Sequence, residues 1–167
     1  MSGEHARPFR LLFLCTGNSA RSQMGEALLN YKAKGRILAE SAGSEPAAAV
    51  NPLAIETLAE HGIPWKGHAP RSVQGLEKEP WDFVITVCDK AREACPIFPG
   101  QPVLAHWGMP DPAAVTGDEA TRRAAFRDAF VLLGRRIDLL LALPLERLER
   151  LAVEGKVKAI GERGARV

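Results

Sequence analysis

A cysteine and an arginine enclose a short loop of small and polar residues near the N-terminus, Cys15-Thr16-Gly17-Asn18-Ser19-Ala20-Arg21. Successive backbone N–H groups in such a loop can converge on one anion, and a helix that begins there adds its partial positive charge. Gly17 and Asn18 are residue types that tolerate the left-handed backbone of such a cradle. Arg21 offers two parallel N–H donors, which match two oxygens of a tetrahedral anion. The pattern predicts an oxyanion-binding site.

The same loop would activate its own cysteine. Helix N-termini and neighbouring arginines lower the pKa of a thiol, so Cys15 is a candidate nucleophile. Ser22 is placed to hydrogen-bond to its sulfur. A cysteine and an arginine at this spacing also occur by chance, and a structural cysteine before a glycine turn is the alternative. The predicted order of strand, loop and helix favours the catalytic interpretation.

Hydrophobic periodicity supplies that order. The apolar run at 9–14 predicts a buried strand, and apolar residues at helical spacing predict a helix over 21–34. Further strands are predicted at 37–42, 81–87 and 102–107, and further helices at 52–61, capped by Asn51, and at 118–143. Strands alternating with helices predict a three-layer α/β fold, with a four-stranded parallel sheet and helices on both faces.

The bulk of the chain fits one such domain. Its 167 residues are enough to bury a core without disulfides or metals. We expect a polar N-terminal tail at 1–8, a catalytic domain at 9–145, and a helical extension or tail at 146–167, where charges alternate with sparse apolar residues. A net charge of +2 supports neither nucleic-acid nor membrane binding. The short apolar run near the N-terminus is not a signal peptide, so a cytoplasmic protein is expected.

Two further cysteines, Cys88 and Cys95, lie seven positions apart. Zinc binding is disfavoured because there is no Cys-x-x-Cys and the four histidines are scattered. Cys88 follows a strand that should lie beside the Cys15 strand, which would bring both thiols to the same edge of the sheet. The intervening residues favour a helix, whose rise of about 10.5 Å over seven residues exceeds the approach of about 7 Å that a disulfide requires. These thiols are either unrelated core residues or a redox pair whose bonding requires the segment to unwind.

Four segments together resemble the thioredoxin-coupled arsenate reductases that share the low-molecular-weight tyrosine phosphatase fold. They are LCTGNSARSQMGEA at 14–27, SAGSEP at 41–46, VITVCDKAREACP at 84–96 and HWGMPDP at 106–112. Each later segment is weak evidence by itself, but their order and spacing are specific. The resemblance covers roughly residues 9–145.

The resemblance implies a function and roles for individual residues. Cys15 would attack arsenate, and Cys88 and Cys95 would pass the oxidising equivalents to a redox-active disulfide that thioredoxin reduces. Asp111, which Pro112 biases towards an extended backbone, would be the general acid for the leaving oxygen. Phosphate and sulfate would compete with arsenate. No cofactor and no metal is expected.

Two departures from the family pattern concern the loop. Position 20 is alanine, where phosphatases and some reductases carry a second loop cysteine. Some relatives bind potassium through groups that match Asn18, Glu26 and Ser41 together with a further acidic residue. That last position aligns with Arg71 here, and its positive charge would repel a cation, so no potassium site is expected.

Two alternatives remain at this stage. A low-molecular-weight tyrosine phosphatase would use Cys15, Arg21 and Asp111 but not the cysteine pair. Ala113 disfavours it, because the protein phosphatases of the family usually place a tyrosine after Asp-Pro. A non-enzymatic redox sensor would use Cys88 and Cys95 as a switch, but it leaves the oxyanion loop unexplained.

Overall fold

Four parallel strands form the centre of the molecule, in the order β2–β1–β3–β4. The computed structural model describes residues 7–147 and 150–164. Its strands are β1 (Phe9–Cys15), β2 (Ile37–Gly43), β3 (Phe83–Thr86) and β4 (Val103–His106). The connections leave β1 and β3 in opposite directions, and open α/β sheets bind ligands outside the carboxyl ends of the strands at such a reversal.

Five α-helices are described around this sheet: α1 (Arg21–Ala33), α2 (Pro52–Glu60), α3 (Asp89–Glu93), α4 (Glu119–Leu141) and α5 (Arg150–Gly164). Side-chain caps fix three of their starts, because Asn51 accepts the N–H of Leu53, Asp118 accepts the N–H of Thr121 and the Cys88 sulfur accepts the N–H of Ala91. The long helix α4 packs against α1, α2 and α5, while α5 also covers β4. The short helix α3 lies against β1 and β3.

The core lies on the sheet and reaches into α5. Residues 11–14 of β1 are buried on both faces of the sheet, as a parallel central strand requires. Trp107, directly after β4, is fully buried and donates its indole N–H to the carbonyl of Val157 at 3.1 Å. This bond ties α5 to the carboxyl end of β4. No helix within the described residues is long and apolar enough to cross a membrane.

The predicted α/β fold is confirmed, with differences at the element ends. The strand predicted at 81–87 is shorter than predicted. The indole N–H of Trp81 donates to the carbonyl of Leu76, and the carboxylate of Asp82 accepts the backbone N–H of Arg10, so neither residue continues the strand. Residues 1–6 of the predicted tail lie outside the described residues, as do 148–149 and 165–167 of the predicted extension. The boundary at residue 145 stays a prediction.

Candidate active site at the carboxyl edge of β1 and β3

The loop between β1 and α1 turns its carbonyl oxygens away from its centre. The oxygens of residues 15, 16, 17 and 19 accept N–H bonds of 2.9 to 3.1 Å from Ser44, Glu45, Ala47 and Asn51, and the oxygen of Asn18 accepts the side-chain amide of Gln23 at 3.2 Å. Because the C=O of one residue and the N–H of the next point in opposite directions across a trans peptide, the N–H groups of residues 17–20 then face inward. Within the described part of the chain, none of these four N–H groups is hydrogen bonded. The loop therefore presents free N–H groups of the kind that the predicted anion cradle requires.

Asn18 holds this loop in shape from beneath. It adopts a left-handed backbone with φ of 52°, and its side chain is fully buried. Its amide donates to Ser22 Oγ at 2.8 Å and to Ser41 Oγ at 2.9 Å, while its Oδ1 accepts the backbone N–H of Arg71. A buried amide with so many partners fixes the backbone around it. Asn18 therefore acts through the shape of the loop.

Of the two loop residues that tolerate a left-handed backbone, Gly17 and Asn18, only Asn18 adopts one; this agrees with what the sequence allowed. One expectation about the loop needs correction. The hydroxyl of Ser22 is hydrogen bonded to Asn18 and, among the described residues, not to the Cys15 sulfur. The reason is that the buried Asn18 amide needs acceptors on both sides, and Ser22 supplies one of them.

Gly43 is a site residue that the sequence alone did not single out. It ends β2 beside Cys15, and a Cβ there would collide with the carbonyl oxygen of Thr16. Its backbone also pairs with both Arg71 and Val73. Only glycine lets β2 approach the loop this closely. The segment SAGSEP contained the signal, but its glycine has no meaning until the pairing with β1 is known.

Arg21 reaches across the mouth of the loop to the segment after β4. Its Nη1 donates to the carbonyl of Met109 at 3.0 Å, and its Nη2 lies 3.7 Å from the Asp111 carboxylate. The side chain is buried, yet its Nε has no partner among the described residues. A buried N–H without an acceptor is costly, so an oxyanion in the loop would relieve that cost. Arg21 is thus held ready for such an anion.

Asp111 lies at the edge of the same opening. Its Oδ1 accepts the N–H of Ala113 at 2.9 Å, which starts a short turn at Pro112 and fixes the carboxyl group. The other oxygen is the one nearest Arg21. The structure therefore brings the predicted acid, Asp111, to the mouth of the loop beside Arg21.

The thiols of Cys15 and Cys88 lie at the same edge of the sheet. Leu14 pairs with Thr86 across β1 and β3, so the residues that follow these strands meet there. The Thr16 hydroxyl, next to Cys15 in the chain, lies 3.1 Å from the Cys88 sulfur. Interaction with Cys15, the Thr16 hydroxyl and the N–H of Ala91 lower the pKa of Cys88 to about 5, against the effect of burial. Interaction with Cys88 and burial raise the pKa of Cys15, because a second negative charge would lie near the first.

The two cysteines consequently titrate as one unit that holds one proton and one negative charge at neutral pH. Arg21 favours the charge on either sulfur, and the N–H of Thr16 favours it on Cys15. Moving the shared proton exchanges thiol and thiolate between the two residues. The structure places both thiols at the same edge of the sheet, as predicted.

Cys95 lies apart from this pair, after α3. It is half-buried, and burial raises the pKa of its thiol. All three cysteines are reduced. Cys95 lines a cavity of about 530 Å³ together with Arg92, His106 and Lys158. The helix predicted between Cys88 and Cys95 is present as α3, which is shorter than predicted.

Arg71 lies beneath the loop, against Asn18 and Ser41. Its Nε donates to the carbonyl of Ser41 at 3.0 Å and its Nη2 to Glu40 at 2.7 Å. The Ser41 hydroxyl donates in turn to Glu26, which His68 also contacts. The groups near Asn18 that could face a cation are therefore engaged with side chains of the protein itself.

Comparison with known proteins agrees with this geometry. The chain belongs to the family described as low molecular weight phosphotyrosine protein phosphatase, whose profile matches residues 10–154. The arsenate reductase of Halalkalibacterium halodurans is 35% identical over 127 residues, which are 76% of this chain and 91% of that protein. The arsenate reductase of Archaeoglobus fulgidus superimposes with a TM-score of 0.60 at 34% identity, covering 77% of this chain and 98% of that one.

A further solved structure is the thioredoxin-dependent arsenate reductase of Corynebacterium glutamicum. It has a TM-score of 0.55 at 26% identity and covers 83% of this chain and 66% of that one. The resemblance to the arsenate reductases of this family, first seen in four short segments, is confirmed.

Proposed function

We propose that this enzyme is an arsenate reductase, which converts arsenate to arsenite by a thiol relay through Cys15, Cys88 and Cys95. The observation that carries the proposal is the position of Cys88 at the mouth of the loop, where its sulfur lies 3.1 Å from the Thr16 hydroxyl and interacts with the Cys15 thiol. A hydrolytic phosphatase needs the loop and the acid, but ester hydrolysis does not require a thiol on the neighbouring strand. A reductase needs a second sulfur within reach of the first.

The first step binds and activates the oxyanion. The inward N–H groups of residues 17–20 and the free Nε of Arg21 supply donors to arsenate oxygens. The Cys15 thiolate attacks arsenic while Cys88 holds the shared proton. Asp111 gives a proton to the departing oxygen, which leaves as water when it departs from a hydroxyl group. The product is a Cys15–arsenic(V) adduct.

The second step is the reduction. Cys88 loses its proton, and its thiolate attacks the Cys15 sulfur. The sulfur–arsenic bond breaks and its electron pair goes to arsenic, which leaves as arsenite with arsenic(III). A Cys15–Cys88 disulfide remains. The Thr16 hydroxyl and the N–H of Ala91, both hydrogen bonded to the Cys88 sulfur, keep this thiolate available.

The third step moves the disulfide outward. The Cys95 thiolate attacks Cys88, forms Cys88–Cys95 and releases the Cys15 thiolate. A thioredoxin-type dithiol then reduces Cys88–Cys95 and is itself oxidised. We place this cycle in the cytoplasm, where such reductants keep thiols reduced. Phosphate and sulfate, as tetrahedral oxyanions, compete for the loop.

The test is a thioredoxin-coupled NADPH assay with arsenate, run beside hydrolysis of p-nitrophenyl phosphate. Cys15→Ser should abolish both reactions, because it removes the nucleophile. Cys88→Ser and Cys95→Ser should each stop multiple turnovers of reduction while sparing ester hydrolysis. Cys95→Ser should still release about one arsenite per enzyme and stall as Cys15–Cys88. Full turnover by both variants, with hydrolysis as the faster activity of the unchanged enzyme, would instead establish a phosphatase.

A further inference from the structure

His106, the last residue of β4, is hydrogen bonded at both ring nitrogens. Its Nδ1 lies 2.7 Å from the Thr86 hydroxyl on β3, and its Nε2 lies 2.8 Å from the carboxylate of Asp89. The Thr86 hydroxyl can donate to Nδ1, which leaves the ring proton on Nε2, facing Asp89. Asp89 is the first residue of α3 and directly follows Cys88. The imidazole therefore links the sheet to the start of the helix between the two relay cysteines.

The sheet end of this link is rigid. His106 pairs with Thr86 in the β3–β4 ladder, and the N–H of Trp107 donates to the Thr86 carbonyl at 2.7 Å. Two glycines pack closely against the histidine. A Cβ at Gly108 would lie 2.6 Å from Nε2, and one at Gly161 of α5 would collide with the His106 carbonyl oxygen. His106 is thus fixed in place by the sheet, by the following loop and by α5.

The helix end of the link is loose. The Asp89 side chain is 89% exposed, and α3 has only five residues, of which only Ala91 is buried. A helix this short is not stable by itself, so its few external contacts decide whether it forms. Its ion pair, Lys90 with Glu45, joins two side chains that are each about two-thirds exposed and contributes little. The contact of Asp89 with His106 is shorter, 2.8 Å against 3.2 Å, and the imidazole is mostly buried.

The surroundings give α3 room to move. The cavity of about 530 Å³ beside Cys95 is lined on one side by Arg92 and Cys95 and on the other by His106 and the α5 residues Lys158 and Glu162. The residues that must unwind for Cys95 to approach Cys88 therefore border open space. Of the α3 residues, their displacement would remove only Ala91 from the core.

We propose that His106 is a positioning residue that holds α3 folded through Asp89 and thereby sets how readily Cys95 reaches Cys88. The link keeps Cys95 away while Cys15 and Cys88 react with the oxyanion. Its release lets the residues between the two cysteines unwind. The consequence for the relay rests on the proposed function; the effect on α3 does not.

Amide hydrogen exchange of the reduced protein tests the link without any substrate. Asp89→Ala removes the acceptor, and exchange at residues 89–94 should become about fivefold faster, as expected for the loss of one ordinary hydrogen bond. Asp89→Asn keeps an oxygen that can accept from Nε2 and should restore slow exchange, although it also removes the charge. Gly108→Ala leaves α3 untouched but displaces the imidazole, and it should accelerate the same amides. Exchange in β1 should stay unchanged in all three variants.

Two outcomes would overturn the proposal. Equal acceleration in Asp89→Ala and Asp89→Asn would mean that the charge at the helix start matters and the hydrogen bond does not. Unchanged exchange in Asp89→Ala and Gly108→Ala would mean that the link does not hold α3. If arsenate is reduced, Cys88–Cys95 formation in a single turnover should accelerate by the same factor in Asp89→Ala. An absence of arsenite from every variant would contradict the proposed function and leave the exchange result standing.

Discussion

At the scale of single residues, Thr16 and Asn18 show how one loop serves both binding and redox chemistry. Thr16 directs its N–H at the Cys15 sulfur and its hydroxyl at the Cys88 sulfur, so it contacts both thiols of the pair. The side chain of Asn18 is hydrogen bonded to Ser22, Ser41 and the backbone of Arg71, and it thereby keeps the loop open for an anion. The chemistry depends on two thiols, but neighbouring polar groups decide which sulfur carries the charge.

The pH dependence of this pair is a prediction at the residue scale. The pKa of Cys88 is lowered to about 5, so the pair should carry one thiolate throughout the neutral range and lose it as the pH falls through about 5. Since this folded-state pKa lies below that of an unfolded thiol, the stabilisation is complete above the unfolded pKa and is lost on acidification through the folded one. The ultraviolet absorbance of the thiolate in the reduced protein measures the titration.

Cys95→Ser is the matched control for that titration. Burial raises the pKa of Cys95, so this thiol does not contribute a thiolate at neutral pH, and its removal should leave the curve unchanged. Cys88→Ser should change the curve, because the shared proton is gone. A thiolate signal that appears only near the pKa of a free cysteine would contradict the coupling of the pair.

At the scale of elements, the structure of α3 depends on one of the atoms that must react. The Cys88 sulfur accepts the N–H of Ala91 at 3.4 Å and so caps the start of the helix. A disulfide to Cys15 or Cys95 removes the thiolate from that position. We therefore expect the oxidation of Cys88 in the proposed relay to weaken the helix that separates it from Cys95 as well.

We accordingly expect α3 to be lost or looped out in the oxidised protein. Amide exchange across residues 88–96 should accelerate on oxidation, because the separation of Cys88 and Cys95 across an intact helix exceeds the reach of a disulfide. The amides of β1 should stay protected as an internal control. Unchanged protection of 88–96 in protein shown by mass spectrometry to contain Cys88–Cys95 would mean that this segment does not move.

At the scale of the whole molecule, α5 packs against β4, the strand whose carboxyl end leads to Asp111. Val153, Val157 and Ile160 of α5 are buried, and the carbonyl of Val157 receives the indole N–H of Trp107. The buried Arg136 of α4 donates to the carbonyl of Gly161. We propose that α5 belongs to the same cooperative unit as the sheet.

A substitution that leaves a cavity beneath α5 tests whether this helix unfolds together with the sheet. Ile160→Ala should lower the free energy of unfolding by about 2–4 kcal/mol, because it leaves a cavity between α5 and the sheet. Leu139→Ala, at a site on α4 that is 36% exposed, should change it by less than about 1 kcal/mol. Both are measured by denaturant unfolding. A separate, earlier transition for α5 in Ile160→Ala, with the rest unchanged, would show that the helix unfolds independently.

Much of the fold and part of the site follow from local sequence. The alternation of apolar runs with helical periodicity predicts every strand of the sheet, and glycines and caps such as Asn51 place several ends within two residues. The loop 15–21 is predicted as an anion cradle because its chemistry is contiguous in the chain. The partner of Ser22 was predicted wrongly, since it depends on how the buried amide of Asn18 is satisfied by Ser22 together with the distant Ser41.

The sequence by itself determined which groups can react: the thiols of Cys15, Cys88 and Cys95, the guanidinium of Arg21 and the carboxyl of Asp111. Only the tertiary structure decided how they are combined, because the strand order β2–β1–β3–β4 joins residues that are far apart in the chain. That order puts Cys88 against Cys15 and sets His106 against Asp89. Hydrogen bonds and shared protons act over a few ångströms, and a sequence states no distances.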